Sequence, residues 1–193
     1  TYTVTDSAGN VSTPSSVTEI TVDFTAPDTP TAPDLFRDDD TGISDSDNLT
    51  NVDSMHITTL GLNEGDFGLL YKVDGVGAIT LVDSVIVPNS GTLTYVVENS
   101  IDGEFDFYVT AMDIAGNLSN NSAITSITID KTAPDVSSVI IDLDDISDTG
   151  FENDDNLTND SSPSFTVTNL IPTDSVYIYF NGADSSKIRA ATT

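Results

Sequence analysis

The chain repeats itself at the scale of a whole small domain. Asp6-Ser-Ala-Gly-Asn10 returns as Asp113-Ile-Ala-Gly-Asn117, 107 residues later. The register holds through Val17–Asp23 and Ile124–Asp130, and into Thr25-Ala-Pro-Asp28 and Thr132-Ala-Pro-Asp135. Asp40-Thr-Gly42 then returns as Asp148-Thr-Gly150, and Asp47-Asn-Leu-Thr-Asn51 as Asp155-Asn-Leu-Thr-Asn159, now 108 apart, so one residue is inserted between the blocks. A period near 107 is too long for a solenoid repeat. The 193 residues are therefore expected to hold the C-terminal part of one repeat (1–26), one complete repeat (27–130) and the N-terminal part of a third (131–193). A chain that opens in mid-pattern reads as a window on a longer protein. Pro27 and Pro134 sit at the joins, where proline restrains its own backbone and the residue before it, so the linkers should be short and stiff.

Within the complete repeat the apolar pattern predicts about seven strands. They are a weak one at 31–35, then 55–60, 68–73, 78–82, 93–98, 104–113 and 123–130. Phe105, Phe107 and Val109 alternate with Asp106 and Tyr108, the period of a half-buried strand. Asp74-Gly75 between two apolar runs signals a hairpin. Ile124, Ile127 and Ile129 slip in phase near Ser126, which predicts a bulge. Seven short strands in roughly 100 residues, without a helical period, is the pattern of an all-β, immunoglobulin-like β-sandwich with Greek-key connections.

Charge is the second constraint. There are 32 acidic residues against 5 basic ones, for a net charge of −27. Most of the acids are Asp, which competes with its own backbone in helices and prefers turns and caps. Such a chain repels nucleic acid and anionic membrane surfaces, and no apolar run is long enough to insert in a membrane. Self-repulsion works against a compact fold unless cations neutralise it. A solvated or disordered acidic chain is the alternative reading, opposed by the strand patterns.

The acids gather in two loops, over 38–51 and 144–159. Carboxylates about 4–5 Å apart at an effective dielectric of about 20 repel by roughly 3–4 kcal/mol per pair. Ca²⁺ suits such a loop, because it accepts six to eight oxygens from carboxylates, amides and carbonyls in loose geometry. Zinc would want histidine or cysteine, of which there are one and none. The spacing is not that of an EF-hand: Gly42 comes one position early after Asp38 and no glutamate closes the loop. The Asp-x-Ala-Gly-Asn turn, and Asp23 and Asp130 at the ends of their strands, lie beside the linkers. They should approach the acidic loop of the next repeat if that loop folds back to the domain junction. The opposing reading is a solvated acidic loop that confers solubility.

The Thr-Ala-Pro-Asp linker, the Asp-Asp-Thr-Gly…Asp-Asn-Leu-Thr-Asn loop and the closing Asp-Gly…Asp-x-Ala-Gly-Asn block resemble the bacterial Ig-like tandem repeats of giant, type I-secreted, calcium-dependent adhesins and biofilm-associated surface proteins. The resemblance covers essentially the whole chain. It implies a non-catalytic extender (stalk) segment, extracellular at the bacterial cell surface or secreted, rigidified by calcium near the domain junctions. Its partners would be neighbouring repeats of the same chain, with a host or surface ligand engaged through other domains. The ligand roles it implies fall on Asp38, Asp39, Asp40, Asp45, Asp47 and Asn48, and on Asp144, Asp145, Asp148, Asp154, Asp155 and Asn156. Asp23, Asp113, Asn117 and Asp130 follow. No glycine-rich nonapeptide calcium array is present, so the link to type I secretion rests on the resemblance alone.

No catalytic constellation stands out. His56, the single histidine, reads as a surface or sheet-edge residue. Asp102, Glu104 and Asp106 read as turn and sheet residues and not as a glycosidase pair. Tyr71, Phe105 and Phe107 read as core. The alternative function is a repeat that itself binds carbohydrate, ice or a receptor, which aromatics clustered on one exposed sheet face would favour. An accessory domain of a secreted polysaccharide-degrading enzyme is a third reading.

Overall fold

A computed structural model describes residues 1–98, 101–171, 174–179 and 187–190. The chain divides into two compact units, Thr1–Lys131 and Thr132–Thr193. Among the described residues the regular structure is all strand.

Among its described residues the first unit holds eight strands: β1 (Asp34–Leu35), β2 (Leu49–Thr50), β3 (Ser54–Thr59), β4 (Phe67–Val73), β5 (Ile79–Ile86), β6 (Leu93–Glu98), β7 (Gly103–Met112) and β8 (Thr125–Ile129). They form a three-stranded sheet, β1-β3-β6, and a five-stranded sheet, β2-β8-β7-β4-β5. The seven strands read from the sequence are all present. β5 runs four residues beyond the expected end. The extra strand, β2, is only two residues long and pairs parallel with β8, too short to leave a periodic signal.

The alternation of β7 buries Phe107, Val109 and Ala111 on one face. Met55, Ile57, Tyr95 and Val97 approach from β3 and β6, and Ile127 and Ile129 from β8, to complete one core. Apolar burial on this scale is the main stabilising term. Gly68 faces this core. A methyl group there would overlap the side chains of Leu93 and Tyr95, which is why glycine interrupts an otherwise apolar strand. The Tyr95 hydroxyl is buried without a hydrogen-bond partner. Burial, with the charge of Asp83 adding, pushes its phenol far above the ordinary range.

Two local expectations are corrected. The pairing of β7 with β8 is continuous from Gly103–Ile129 to Phe107–Thr125, so there is no bulge at Ser126. Ile124 lies outside the strand and is exposed, which explains its phase. The irregularity falls instead between Leu70 and Tyr71, where β4 pairs with β5. Tyr71 is not a core residue. It pairs with Tyr108 across β4 and β7, on the face opposite Leu70 and Val109, and the two rings stack at 5.0 Å. The Asp74-Gly75 hairpin is present, with its left-handed residue at Gly77 (φ 84°).

The second unit contains β9 (Ile140–Leu143) paired antiparallel with β10 (Phe165–Thr168), and β11 (Val176–Tyr179) paired with β12 (Lys187–Ala190). Asp142 pairs with Thr166 and Leu143 with Phe165, as Asp34 pairs with Thr58 and Leu35 with Ile57. The internal repeat is thus preserved as strand register.

Candidate functional site

The two acidic loops share a backbone clasp. In the first, the Asp39 and Asp40 amides donate to the Phe36 carbonyl at 2.8 and 3.2 Å, which turns the chain after β1. Asp40 Oδ2 then accepts from the Asn48 amide at 3.0 Å. Asn48 is left-handed (φ 59°), a conformation asparagine tolerates better than most residues. Thr41 Oγ1 donates to Asn51 Oδ1 at 2.9 Å and accepts from the Asn51 amide at 3.0 Å. Asp47 Oδ1 accepts from the Leu49 amide at 3.2 Å, an Asx turn. The second loop reproduces each feature. Asp148 Oδ2 accepts from Asn156 at 3.0 Å, Asn156 has φ 61°, Thr149 binds Asn159, and Asp155 Oδ1 accepts from Leu157 at 3.0 Å.

Much of the carboxylate in these loops is therefore committed to holding backbone. Asp39 Oδ2 accepts from the His56 amide at 2.6 Å and lies 2.7 Å from His56 Nδ1. His56 sits on the central strand of its sheet, not at an edge. Asp45 pairs with Arg37 through Nε at 2.6 Å and through Nη2. Asp144 accepts from Thr166 Oγ1 at 2.6 Å. Asp38, Asp145 and Asp154 are exposed.

The Asp-x-Ala-Gly-Asn turns are built the same way. Asp113 Oδ1 accepts from the Asn117 amide and Oδ2 from its side chain, both at 2.8 Å. Asp6 and Asn10 repeat the pattern. The asparagine side chain holds each carboxyl below the usual aspartate range, with backbone amides adding to the effect. Asp23 accepts from the Thr25 amide through Oδ1, and its carbonyl accepts from Asn117 Nδ2 at 3.1 Å. Asp23 thus meets the Asn117 turn. The Asp130 amide donates to Thr50 at 2.9 Å, beside the end of its own repeat's loop.

Among the described residues no three His, Asp or Glu side chains converge as a metal cage. One observation nevertheless fits a cation. Among the described residues Asp40 and Asp148 are the buried acids, 7% and 6% exposed, and each leaves Oδ1 enclosed without a hydrogen-bond partner. A buried carboxylate oxygen with nothing to accept from is costly, and the same oxygen is left over in both repeats. Calcium takes carbonyl and amide oxygens beside carboxylates, so a loop that supplies one or two acids among main-chain oxygens suits it better than it would suit zinc.

The sequence missed the partners of these acids. His56 and Arg37 anchor Asp39 and Asp45 across 17 and 8 residues, and nothing in the spacing announces either pair. Asn51 and Asn159 were visible as repeated residues, though not as the partners of Thr41 and Thr149.

The model of the bacterial Ig-like domain matches residues 25–131 and again 135–193. The chain belongs to the bacterial Ig-like domain family. No curated protein matches this bacterial Ig-like chain. Among solved structures it is similar to the glycoside hydrolase domain of Endo-D from Streptococcus pneumoniae R6, with TM-score 0.35 and 21% identity, over 55% of this chain and 16% of that one. It is also similar to a tetra-tandem repeat in the extending region of a large adhesion protein, with TM-score 0.37 and 16% identity, over 73% and 31%. The bacterial Ig-like repeats here span less than a third of either structure.

Proposed function

We propose that this chain is a non-catalytic extender segment of a bacterial cell-surface adhesin, in which calcium bound at the acidic loops stiffens successive Ig-like repeats. The observation that carries the reading is the recurrence of one buried, unpartnered carboxylate oxygen, at Asp40 and at Asp148. Each sits in a loop whose other polar groups are largely satisfied. Asp40 and Asp148 would hold the ion, with Asp47, Asp155 and loop carbonyls supplying further oxygens. The ion would supply positive charge to a chain carrying −27. At one hundred times its dissociation constant, a single site adds about 2.7 kcal/mol to the folded state. Affinity of about 0.1–1 mM, typical of extracellular calcium modules, would leave the chain loose at low calcium and firm outside a cell. Thermal melting and small-angle scattering of the 193-residue chain test this together. Calcium should raise the melting temperature and extend the particle relative to EDTA. Superimposable curves in both would end the reading.

A second reading is favoured by one feature. On the outer face of the five-stranded sheet, the stacked Tyr71 and Tyr108 adjoin Leu81, with Ile79 and Ile86 along the same edge strand, and these three aliphatic side chains are exposed. Such a face suits a repeat that itself adheres to carbohydrate, ice or a receptor. Glycan-array and ice-recrystallisation assays with the wild type and with Leu81→Lys distinguish it: binding lost in the variant supports it, and no binding by the wild type sets it aside.

A further inference from the structure

The two sheets of the first unit turn unlike faces to solvent. On β3 and β6 the outward positions hold Ser54, His56 and Thr58 opposite Glu98, Val96 and Thr94, the largely polar alternation expected of a sheet buried on one side. β4 breaks that rule. Its inward positions, Gly68 and Leu70, face the core, yet its outward positions hold Phe67, Leu69, Tyr71 and Val73. Across the ladders these meet Met112 and Tyr108 of β7, and Ile86, Leu81 and Ile79 of β5. Leu69 lies outside the core cluster and is still only 8% exposed, so the outward side chains close over one another into one apolar strip. A strand apolar on both faces is the pattern of a strand covered on both.

Geometry and charge narrow what the strip can take. The Tyr71 and Tyr108 rings are 11° from parallel with centroids 5.0 Å apart, close to the spacing of neighbouring strands, about 4.8 Å. The rings therefore stand upright on the sheet and stack on each other, turning their edges outward, whereas a sugar needs a ring face to lie on. Such a ridge suits interdigitating apolar side chains. Charge gathers at its two ends. Asp66 precedes β4 and Asp113 follows β7 at one end, while Asp74 follows β4 and Asp106 pairs with Val73 at the other. Between those ends, among the described residues, the outward positions of β4, β5 and β7 carry no charged residue. Lys72 belongs to the inward side of β4, its ammonium 4.8 Å from the centre of the Phe105 ring. A second copy would bring the same acids and a further −27 against the strip, which opposes self-association.

We propose that this strip is the docking surface for a basic, amphipathic polypeptide segment of a partner protein. Its apolar side chains would lie along β4 and β5, with lysines or arginines at the acids of either end. β4 spans about 20 Å at about 3.3 Å per residue, a length that a helix covers in about thirteen residues. Apolar contact supplies the affinity, and the terminal acids select against acidic competitors. The proposal rests on the second reading above, adhesion by the repeat itself, and names the class of ligand. It is independent of calcium.

Residue-resolved NMR of the ¹⁵N-labelled 193-residue chain in EDTA tests the proposal. The probe is a synthetic helical peptide of about thirteen residues with a leucine stripe and a pair of lysines at each end. Amides of β4, β5 and β7 should shift together as it is added. A peptide of the same composition in scrambled order keeps the charge and loses the stripe, and should bind at least about tenfold more weakly. Leu81→Lys and, separately, Ile79→Lys should each weaken the intact peptide by about tenfold, the scale of one lost apolar contact. Val96→Lys, exposed on the outward face of the other sheet, should leave it nearly unchanged. Equal binding of the intact and scrambled peptides reduces the effect to bulk charge and overturns the proposal, as do shifts confined to residues outside the strip. If concentrating the chain alone shifts the same amides, the occupant is a second copy. If a neutral chito-oligosaccharide shifts them and the peptide does not, the ligand is a glycan. Either result overturns the basic partner and leaves adhesion by the repeat standing. A strip silent to peptide, oligosaccharide and concentration removes both.

Discussion

Loop 38–51 and loop 144–159 are two copies of one device, and they differ in an informative way. Constant between them are the groups that hold backbone: Asp40 with Asn48, Asp148 with Asn156, Thr41 with Asn51, Thr149 with Asn159. What varies is the charge pairing around the clasp. Asp39 and His56 in one repeat become Ser147 and Ser164 in the other, and the bond survives the change, since the Ser164 amide donates to Ser147 Oγ at 3.0 Å. Arg37 and Asp45 become Asp145 and Asn153. The backbone geometry of the loop therefore does not depend on its net charge. Acids that shape the chain and acids that merely charge it are separate populations, although they look alike in the sequence.

That division can be broken or sharpened by substitution. The largest effect is expected at the clasp. Asp40→Ala leaves the Asn48 amide without its acceptor in a half-buried position and should cost about 2 kcal/mol, by the usual scale of hydrogen bonds to charged groups, read from chemical denaturation. Asn48→Ala should cost about 1 kcal/mol, because alanine resists the left-handed conformation, while Asn48→Gly should cost much less. A double-mutant cycle on Asp39→Ser and His56→Ser should give a coupling energy of about 1 kcal/mol, with the double variant less destabilised than the singles sum to. Arg37→Asp should change stability by less than about 0.5 kcal/mol in EDTA, since its pair with Asp45 is solvent-exposed. A large loss there would place Arg37 among the shaping residues.

The smallest effect concerns pH and the Asp-x-Ala-Gly-Asn turn. Asn117 holds the Asp113 carboxyl below its ordinary range. The stabilisation it brings is therefore fully present above the unfolded value of about 4 and is lost as the pH falls through the lower folded value. The melting-temperature difference between wild type and Asp113→Asn should hold constant from neutral pH down to about pH 5 and shrink below about pH 4. A difference that shrinks near neutrality would contradict the hydrogen-bonded turn.

Much of this molecule was legible before its structure. Phe105, Phe107 and Val109 announced β7, Asp74-Gly75 announced the hairpin between β4 and β5, and the repeated Asp113–Asn117 block announced a turn. Each is a local effect, in which neighbouring residues dictate backbone conformation. The acidic loops were legible as loops and as a concentration of charge. The fate of individual carboxylates was not. Asp39, Asp45 and Asp40 look equivalent in the sequence, yet one anchors His56, one pairs with Arg37 and one is buried with an oxygen to spare.

By itself, then, the sequence determined the domain-sized period, the β-sandwich class and the positions of the turns, because alternation and Asx chemistry act over a few residues. Tertiary structure decided the parallel pairing of β2 with β8, the outward placement of Tyr71, and the burial of Asp40 and Asp148. These depend on how segments far apart in the chain come into register, and that is set by packing the whole core and not by any one stretch of residues.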